Sequence, residues 1–303
     1  VKKIAIVGAG GYVGSHLYSY LRSRGYECTG IARNPNIEGV LKCDIFEVDK
    51  LSALINGADV VVNCVGYAHS VSSKFDKTQK FKHQSLNYES VISLAASCKK
   101  ANVSKIVNIS SIKAYAPDSD FYSKYKKAAE DYLRDPACQI FFSSVNLRIP
   151  MVFGKSSKGY LALMARYVKN GIFPPIPETR NRRSMIHIDD LTTAIEVAIN
   201  NDNINGKVLA VSALYAPSGR EIFDKFREIY GYRKLSIEVP KFLFVISAII
   251  CDILQEVIRN ELPYNSLTLT KLMDDAYYPA EEFMSLTEWS PKISLFEGLK
   301  DYK

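Results

Sequence analysis

An α/β fold on a doubly wound parallel sheet, with a smaller mixed C-terminal domain, is what this sequence predicts, and three observations carry the prediction. Short β-branched runs alternate with helical stretches through the first half of the chain, and strands separated by helices form a parallel sheet. A glycine-rich turn joins the first run to the first helical stretch. The composition, 47% apolar and 23% charged over 303 residues, is that of an ordinary globular chain and excludes disordered, collagen-like and repeat-array architectures. A chain of this length lies near the roughly 250 to 300 residues at which one core divides in two.

In chain order, strands are expected over 4–7, 27–31, 60–64, 105–109 and 141–147. Helices are expected over 12–24, 48–55, 87–101 and 122–133, where apolar residues recur three and four apart. The first domain is expected to span 1–150 and the smaller one 151–303, because the proline run at 173–177 interrupts regular structure there. A strand and helix over 184–199, with a further strand over 206–212, are expected to return the chain to the first sheet.

Gly8, Gly11 and Gly14 stand three apart directly after the first strand and open the first helix, the context of a dinucleotide site and of a Rossmann-type sheet. Gly8 permits the tight turn, Gly11 a close approach of backbone to pyrophosphate, and Gly14 close packing of helix on sheet. At the end of the second strand Ala32-Arg33 stands where an acidic residue would bond the ribose hydroxyls. Its guanidinium suits a 2′-phosphate, so NADP(H) is the expected cofactor and NAD(H) the alternative. Asp44 follows the next strand and is placed within reach of the adenine.

Tyr122 and Lys126 are four apart, on one face of a helix, and Ser110 and Ser111 close the preceding strand. A free phenol titrates near 10 and relays protons poorly at neutral pH, so a neighbouring ammonium that favours the tyrosinate makes it useful. Ser111 then holds the reacting oxygen and Tyr122 passes it a proton.

With these motifs the sequence resembles the extended short-chain dehydrogenase/reductases, specifically the nucleotide-sugar epimerase and dehydratase group. The resemblance runs over nearly the whole chain: the glycine turn, Val65-Gly66, Asn87, Ser110-Ser111 with Tyr115, Tyr122, Lys126 and Glu130, Arg148-Ile149-Pro150, the segment Arg183 to Leu191, and Trp289-Ser290-Pro291. It implies Ser111, Tyr122 and Lys126 as the catalytic trio. Cofactor contacts fall to Gly8, Gly11, Tyr12, Val13, Gly14, Arg33, Asp44, Ile45, Val65, Gly66 and Asn87, with Tyr122 and Lys126. Ser111 and Arg183 are the implied substrate contacts, Arg183 matching the arginine with which family 4-epimerases hold the UDP phosphates. Ile112-Lys113-Ala114 lacks the acidic pair of the sugar dehydratases, which argues against dehydration. The expectation is a reductase of a UDP-4-keto hexosamine derivative in bacterial surface-polysaccharide synthesis. Alternatives are a UDP-sugar 4-epimerase and a non-catalytic binding protein. A homodimer is a further implication.

The net charge of +7 is dispersed along the chain, which suits an anionic small ligand and not nucleic acid. Six cysteines without CxxC spacing and four histidines without ligand spacing give no metal site and suggest buried free thiols. The chain enters its first strand without a leader pattern, so a cytoplasmic protein is expected. His187, beside Asp189 and Asp190, reads as a local structural group; His69 and His83 show no partners in the sequence. The apolar run from Phe242 to Leu254 is too short for the roughly 20 residues of a membrane span. It reads as a buried helix or subunit contact, with insertion into a membrane surface as the less favoured role.

Overall fold

A computed structural model describes residues 2–68, 77–157, 159–233, 240–258, 266 and 273–303. The chain divides into two units: 1–150 with 188–211 and 280–290, and 151–187 with 212–279 and 291–303.

The first unit is built on a seven-stranded sheet of order β3-β2-β1-β4-β5-β6-β9, all parallel. Its strands are β1 (Lys3–Val7), β2 (Glu27–Ala32), β3 (Val40–Lys42), β4 (Val60–Asn63), β5 (Lys105–Ser111), β6 (Ser143–Ile149) and β9 (Val208–Ala210). Every residue of β4 and β5 is buried, as strands covered on both faces must be. The register runs Ile6↔Val62, Val62↔Val107 and Val107↔Val145. Helix α1 (Tyr12–Ser23) packs with α8 (Ile188–Asn200), and Tyr20 donates to Glu196 at 2.6 Å. Another core joins α2 (Val48–Leu54), α4 (Ser90–Lys100) and α5 (Phe121–Arg134), which the short α6 (Pro136–Gln139) follows, to the sheet through Leu51, Leu94, Cys98, Ala129 and Leu133. The chain reverses its order of strands between β1 and β4, the switch point beyond whose carboxyl ends such sheets bind ligands.

Three details depart from the expectations. Helix α3 (Lys77–Gln84) was not expected, and the helix expected from residue 87 begins instead as a π-helical turn, Ser85–Glu89. The strand over Met185–His187, β8, pairs with β7 (Met151–Phe153) in a two-stranded sheet of the second unit rather than joining the large one. Residues 280–290, read with the second domain, belong to the first unit. There α11 (Glu281–Thr287) precedes Trp289, whose indole donates to Thr193 at 2.9 Å.

The second unit packs α7 (Tyr160–Lys169), α9 (Gly219–Ile229), α10 (Lys241–Ile258) and α12 (Leu295–Leu299) around Phe153, Met164, Phe223, Phe226 and Phe244. His187 Nε2 pairs with Asp301 at 3.1 Å and its ring meets Phe153 edge-on. The apolar helix α10 is buried in part within the chain: Phe244 and Ala248 enter the core, whereas Phe242 and Ile253 are 62% and 58% exposed. No helix among the described residues is long and apolar enough to cross a membrane. Cys43 and Cys98 are buried and the other four cysteines are half-buried, all as free thiols. His69 lies outside the described residues.

Candidate active site

The glycine turn closes on itself as its spacing requires. Gly8 adopts φ +93°, and a Cβ there would meet the Cys64 carbonyl carbon at 2.8 Å. A Cβ on Gly14 would lie 2.2 Å from the Gly8 oxygen, so Gly14 supports the turn from behind. Gly11 caps α1 without a side chain, which lets an anion approach the N-terminus of the helix.

Beyond this turn lies a cleft of about 280 Å³, formed within the first unit. Of the expected cofactor residues, Gly8, Gly11, Arg33, Asp44, Ile45, Val65 and Gly66 line it. Tyr12, Val13, Gly14, Asn87, Tyr122 and Lys126 do not. Gly10, Ala32, Asn34, Cys64 and Leu86 also line it and were not expected. Arg33 is exposed at its rim, while Asp44 uses one carboxylate oxygen to accept from Phe46 N–H at 3.1 Å. Glycine at 66 lets Lys126 come up behind the wall: a Cβ there would stand 3.1 Å from Lys126 Nζ and 3.3 Å from Asn87 Oδ1. Backbone turns free of side chains, joined to an ammonium at one end and a guanidinium at the other, fit a dinucleotide.

Helix α5 sets Tyr122 and Lys126, the pair expected to be catalytic. Asp120 caps it by accepting from Ser123 N–H at 2.7 Å, which starts the helix so that Tyr122 hydrogen-bonds Ser111 at the end of β5. One turn on, Lys126 is buried and donates to the Ile109 carbonyl at 3.0 Å. Burial pushes this lysine down to about 8, against Glu130 and Cys64. Burial also pushes the Tyr122 phenol up, opposed by the Ser111 hydrogen bond and reinforced by Asp120. The expected lowering of Tyr122 by Lys126 is therefore not met in this arrangement: the ammonium is committed to a carbonyl and itself desolvated. The same lysine holds the Cys64 thiol below where burial alone would put it, at about 12.

Behind the trio, Glu130 accepts from Ser110 Oγ at 2.5 Å and from Arg148 Nε and Nη2 at 2.9 and 2.5 Å. Arg148 in turn lies over the Tyr115 ring at 4.0 Å. An amide ladder crosses three strands: Asn63 donates to Asn108 at 2.9 Å, Asn108 donates to Asn146 at 2.8 Å, and Asn63 accepts from Val65 N–H at 3.1 Å. It ties the cleft wall to the sheet. A lone asparagine within each of three apolar strands was the signal for it.

Asn87 clamps the loop after β4, accepting from Tyr67 N–H at 2.8 Å and donating to its carbonyl at 3.0 Å. His83, which showed no partner in the sequence, is buried beside it. Arg183 belongs to the second unit, half-buried, where its Nη1 donates to the Asp274 carbonyl at 3.2 Å and burial pushes its guanidinium down, against Asp274. No group of three or more His, Cys, Asp or Glu among the described residues could hold a metal.

Comparison with known proteins joins these features. Residues 4–211 match the profile of the NAD dependent epimerase/dehydratase family. UDP-glucose 4-epimerase of Vibrio cholerae is 27% identical over 236 residues, 70% of this chain and 70% of that protein. UDP-2-acetamido-2,6-beta-L-arabino-hexul-4-ose reductase of Pseudomonas aeruginosa is 26% identical over 242 residues, 77% of this chain and 59% of that protein. The solved UDP-glucuronic acid 4-epimerase of Bacillus cereus in complex with NAD superposes with a TM-score of 0.76 at 19% identity, covering 99% of this chain and 97% of that one, a likeness of fold.

Proposed function

The chain belongs to the NAD dependent epimerase/dehydratase family, and on that premise we propose that it is an NADP(H)-dependent reductase of a UDP-4-keto sugar, a hexosamine derivative, in bacterial surface-polysaccharide synthesis. The observation that carries the choice is the end of β2. Ala32 and Arg33 line the cleft where an acidic residue would bond the ribose hydroxyls, with Asp44 also in the lining, so a 2′-phosphate at the end of β2 would meet a guanidinium. The Pseudomonas aeruginosa reductase supports the same choice from the side of the substrate.

A bound nicotinamide would supply the hydride. The chain's own part is to hold the ribose with Lys126, to hold the sugar's C4 oxygen with Ser111 Oγ, and to deliver the Tyr122 hydroxyl proton to that oxygen. A phenol held above its ordinary value keeps its proton until the oxygen becomes basic, which suits reduction of a ketone. Arg183 is assigned to the UDP diphosphate, and the protein is read as a cytoplasmic homodimer.

The test is cofactor identity. The nucleotide released on denaturing the purified protein is identified, and binding of NADPH and NADH to the emptied protein is measured. Exchangeable NADPH with little affinity for NADH, followed by turnover of UDP-4-keto sugars, is the expected result. Tightly retained NAD with no net redox change would make the protein a 4-epimerase instead.

A further inference from the structure

His83 plays no part in the mechanism above, yet its surroundings specify its protonation. It is 2% exposed, and its Nδ1 lies 3.1 Å from Asn87 Nδ2. Asn87 cannot turn its oxygen toward the ring, because Oδ1 accepts from Tyr67 N–H while Nδ2 donates to the Tyr67 carbonyl. The atom facing His83 is thus a donor, and Nδ1 has to accept. That requires a neutral imidazole with its proton on Nε2.

The ring is enclosed by aromatic neighbours, Tyr67 at 5.1 Å and Tyr122 edge-on at 5.9 Å between centroids. The groups facing it are Tyr122 of α5 with Asp120 at the α5 cap, and Tyr67 from the loop after β4. On its own helix Lys82 stands 6.0 Å over the Tyr67 ring. Burial pushes the imidazole down, and the Asp120 carboxylate and the Tyr67 backbone oppose this. Asn87 sits in the π-helical turn Ser85–Glu89, an irregularity that recurs at functional sites. Its clamp holds Tyr67 directly after Gly66, the point where Lys126 comes up behind the cleft wall.

We propose that His83 is a positioning residue: as a neutral acceptor it locks the Asn87 amide, and through it the loop 64–67 that walls the Lys126 end of the cleft, and a proton on the ring releases that lock. The proposal deepens the reading of the cleft as a dinucleotide site and rests on it.

Two variants of the full chain separate the acceptor from the ring. His83→Asn keeps an acceptor at the δ position and cannot titrate; His83→Phe keeps the ring and has no acceptor. NADPH affinity is measured by calorimetry from pH 5.5 to 8 for all three proteins, and the difference between profiles removes the titration of the cofactor's own phosphate. Wild-type affinity should be level above pH 7 and weaken on acidification by up to about tenfold per pH unit, the limit for one proton. His83→Asn should lose that acid limb while retaining neutral-pH affinity, and His83→Phe should bind about tenfold more weakly at every pH, the worth of one lost buried hydrogen bond. An acid limb unchanged in His83→Asn, or a His83→Phe that binds like wild type, overturns the proposal.

A second readout needs no cofactor. Imidazole nitrogen NMR of the ligand-free protein, with His83 identified by its loss in His83→Asn, should show the Nε2-protonated tautomer. An Nδ1-protonated ring overturns the lock directly. A chain that shows the Nε2 tautomer but binds no dinucleotide overturns the cofactor reading and with it the proposed role of the lock.

Discussion

Helices α5 and α10 were placed by opposite means. Helix α5 carries Ser123, Lys126 and Glu130 at buried positions, and each has its partner: Ser119, the Ile109 carbonyl and Arg148. Helix α10 is apolar around most of its circumference, yet among its described side chains a narrow stripe, Phe244 and Ala248, is what is buried. Buried charge is costly unless paired, and exposed apolar surface is common. The informative helix is therefore the one that breaks the hydrophobic rule inward, because each polar side chain retained there has a task. On α10 the same rule broken outward gives an apolar surface without naming what it meets.

The comparison is tested hardest at the first turn of α5. Tyr122→Phe removes one oxygen and leaves the ring among its neighbours, so the fold and dinucleotide binding should persist while kcat falls about 10²- to 10⁴-fold, the worth of a positioned proton donor. Steady-state rates beside NADPH binding check this. Unchanged turnover would make the polar lining of α5 structural only.

Glu130→Ala takes one partner from a buried pair and leaves the Arg148 guanidinium uncompensated. A loss of about 3 to 5 kcal/mol is expected, read from urea unfolding. A loss under 1 kcal/mol would mean that water replaces the carboxylate and that the network is looser than its distances.

On α10, Phe244→Ala should cost about 3 to 5 kcal/mol as well, here through lost transfer energy and a cavity. The two helices are then matched in magnitude and differ in cause, a broken ion pair on α5 and lost apolar packing on α10.

Lys126 adds a dependence on pH. Its ammonium is held at about 8 against an ordinary 10.5, so between these values the unfolded chain carries more protons than the folded one. Stability relative to Lys126→Met should rise with pH across that window, by on the order of 3 kcal/mol. The penalty is complete below pH 8 and relieved above 10.5. A flat difference would mean that solvent reaches the ammonium.

Much of this was legible beforehand, for identifiable reasons. Alternating β-branched and helical segments carried the large sheet, since parallel strands covered on both faces leave near-continuous apolar runs. The spacing of Gly8, Gly11 and Gly14, and of Tyr122 with Lys126, placed residues whose relation is local in the chain. What escaped depends on pairing at a distance. Three residues, Met185–His187, do not reveal which strand they join, and nothing in 280–290 signals its return to the first unit. His83 and the asparagine ladder were visible as polar residues in apolar company, but their partners come from other strands and turns. On helix α10 an apolar circumference did not say which part the chain itself covers.

The smallest effect sharpens that last point. Ile249 is 49% exposed, one position from buried Ala248, so Ile249→Ser should change stability by within about 0.5 kcal/mol, as surface substitutions do. Measured beside Phe244→Ala on the same helix, it compares two large apolar side chains a turn and a half apart under identical conditions. Under dilute conditions a cost of 2 kcal/mol or more would show that this face of α10 is covered in solution. A cost that appears only at high protein concentration would place a second copy of the chain on it.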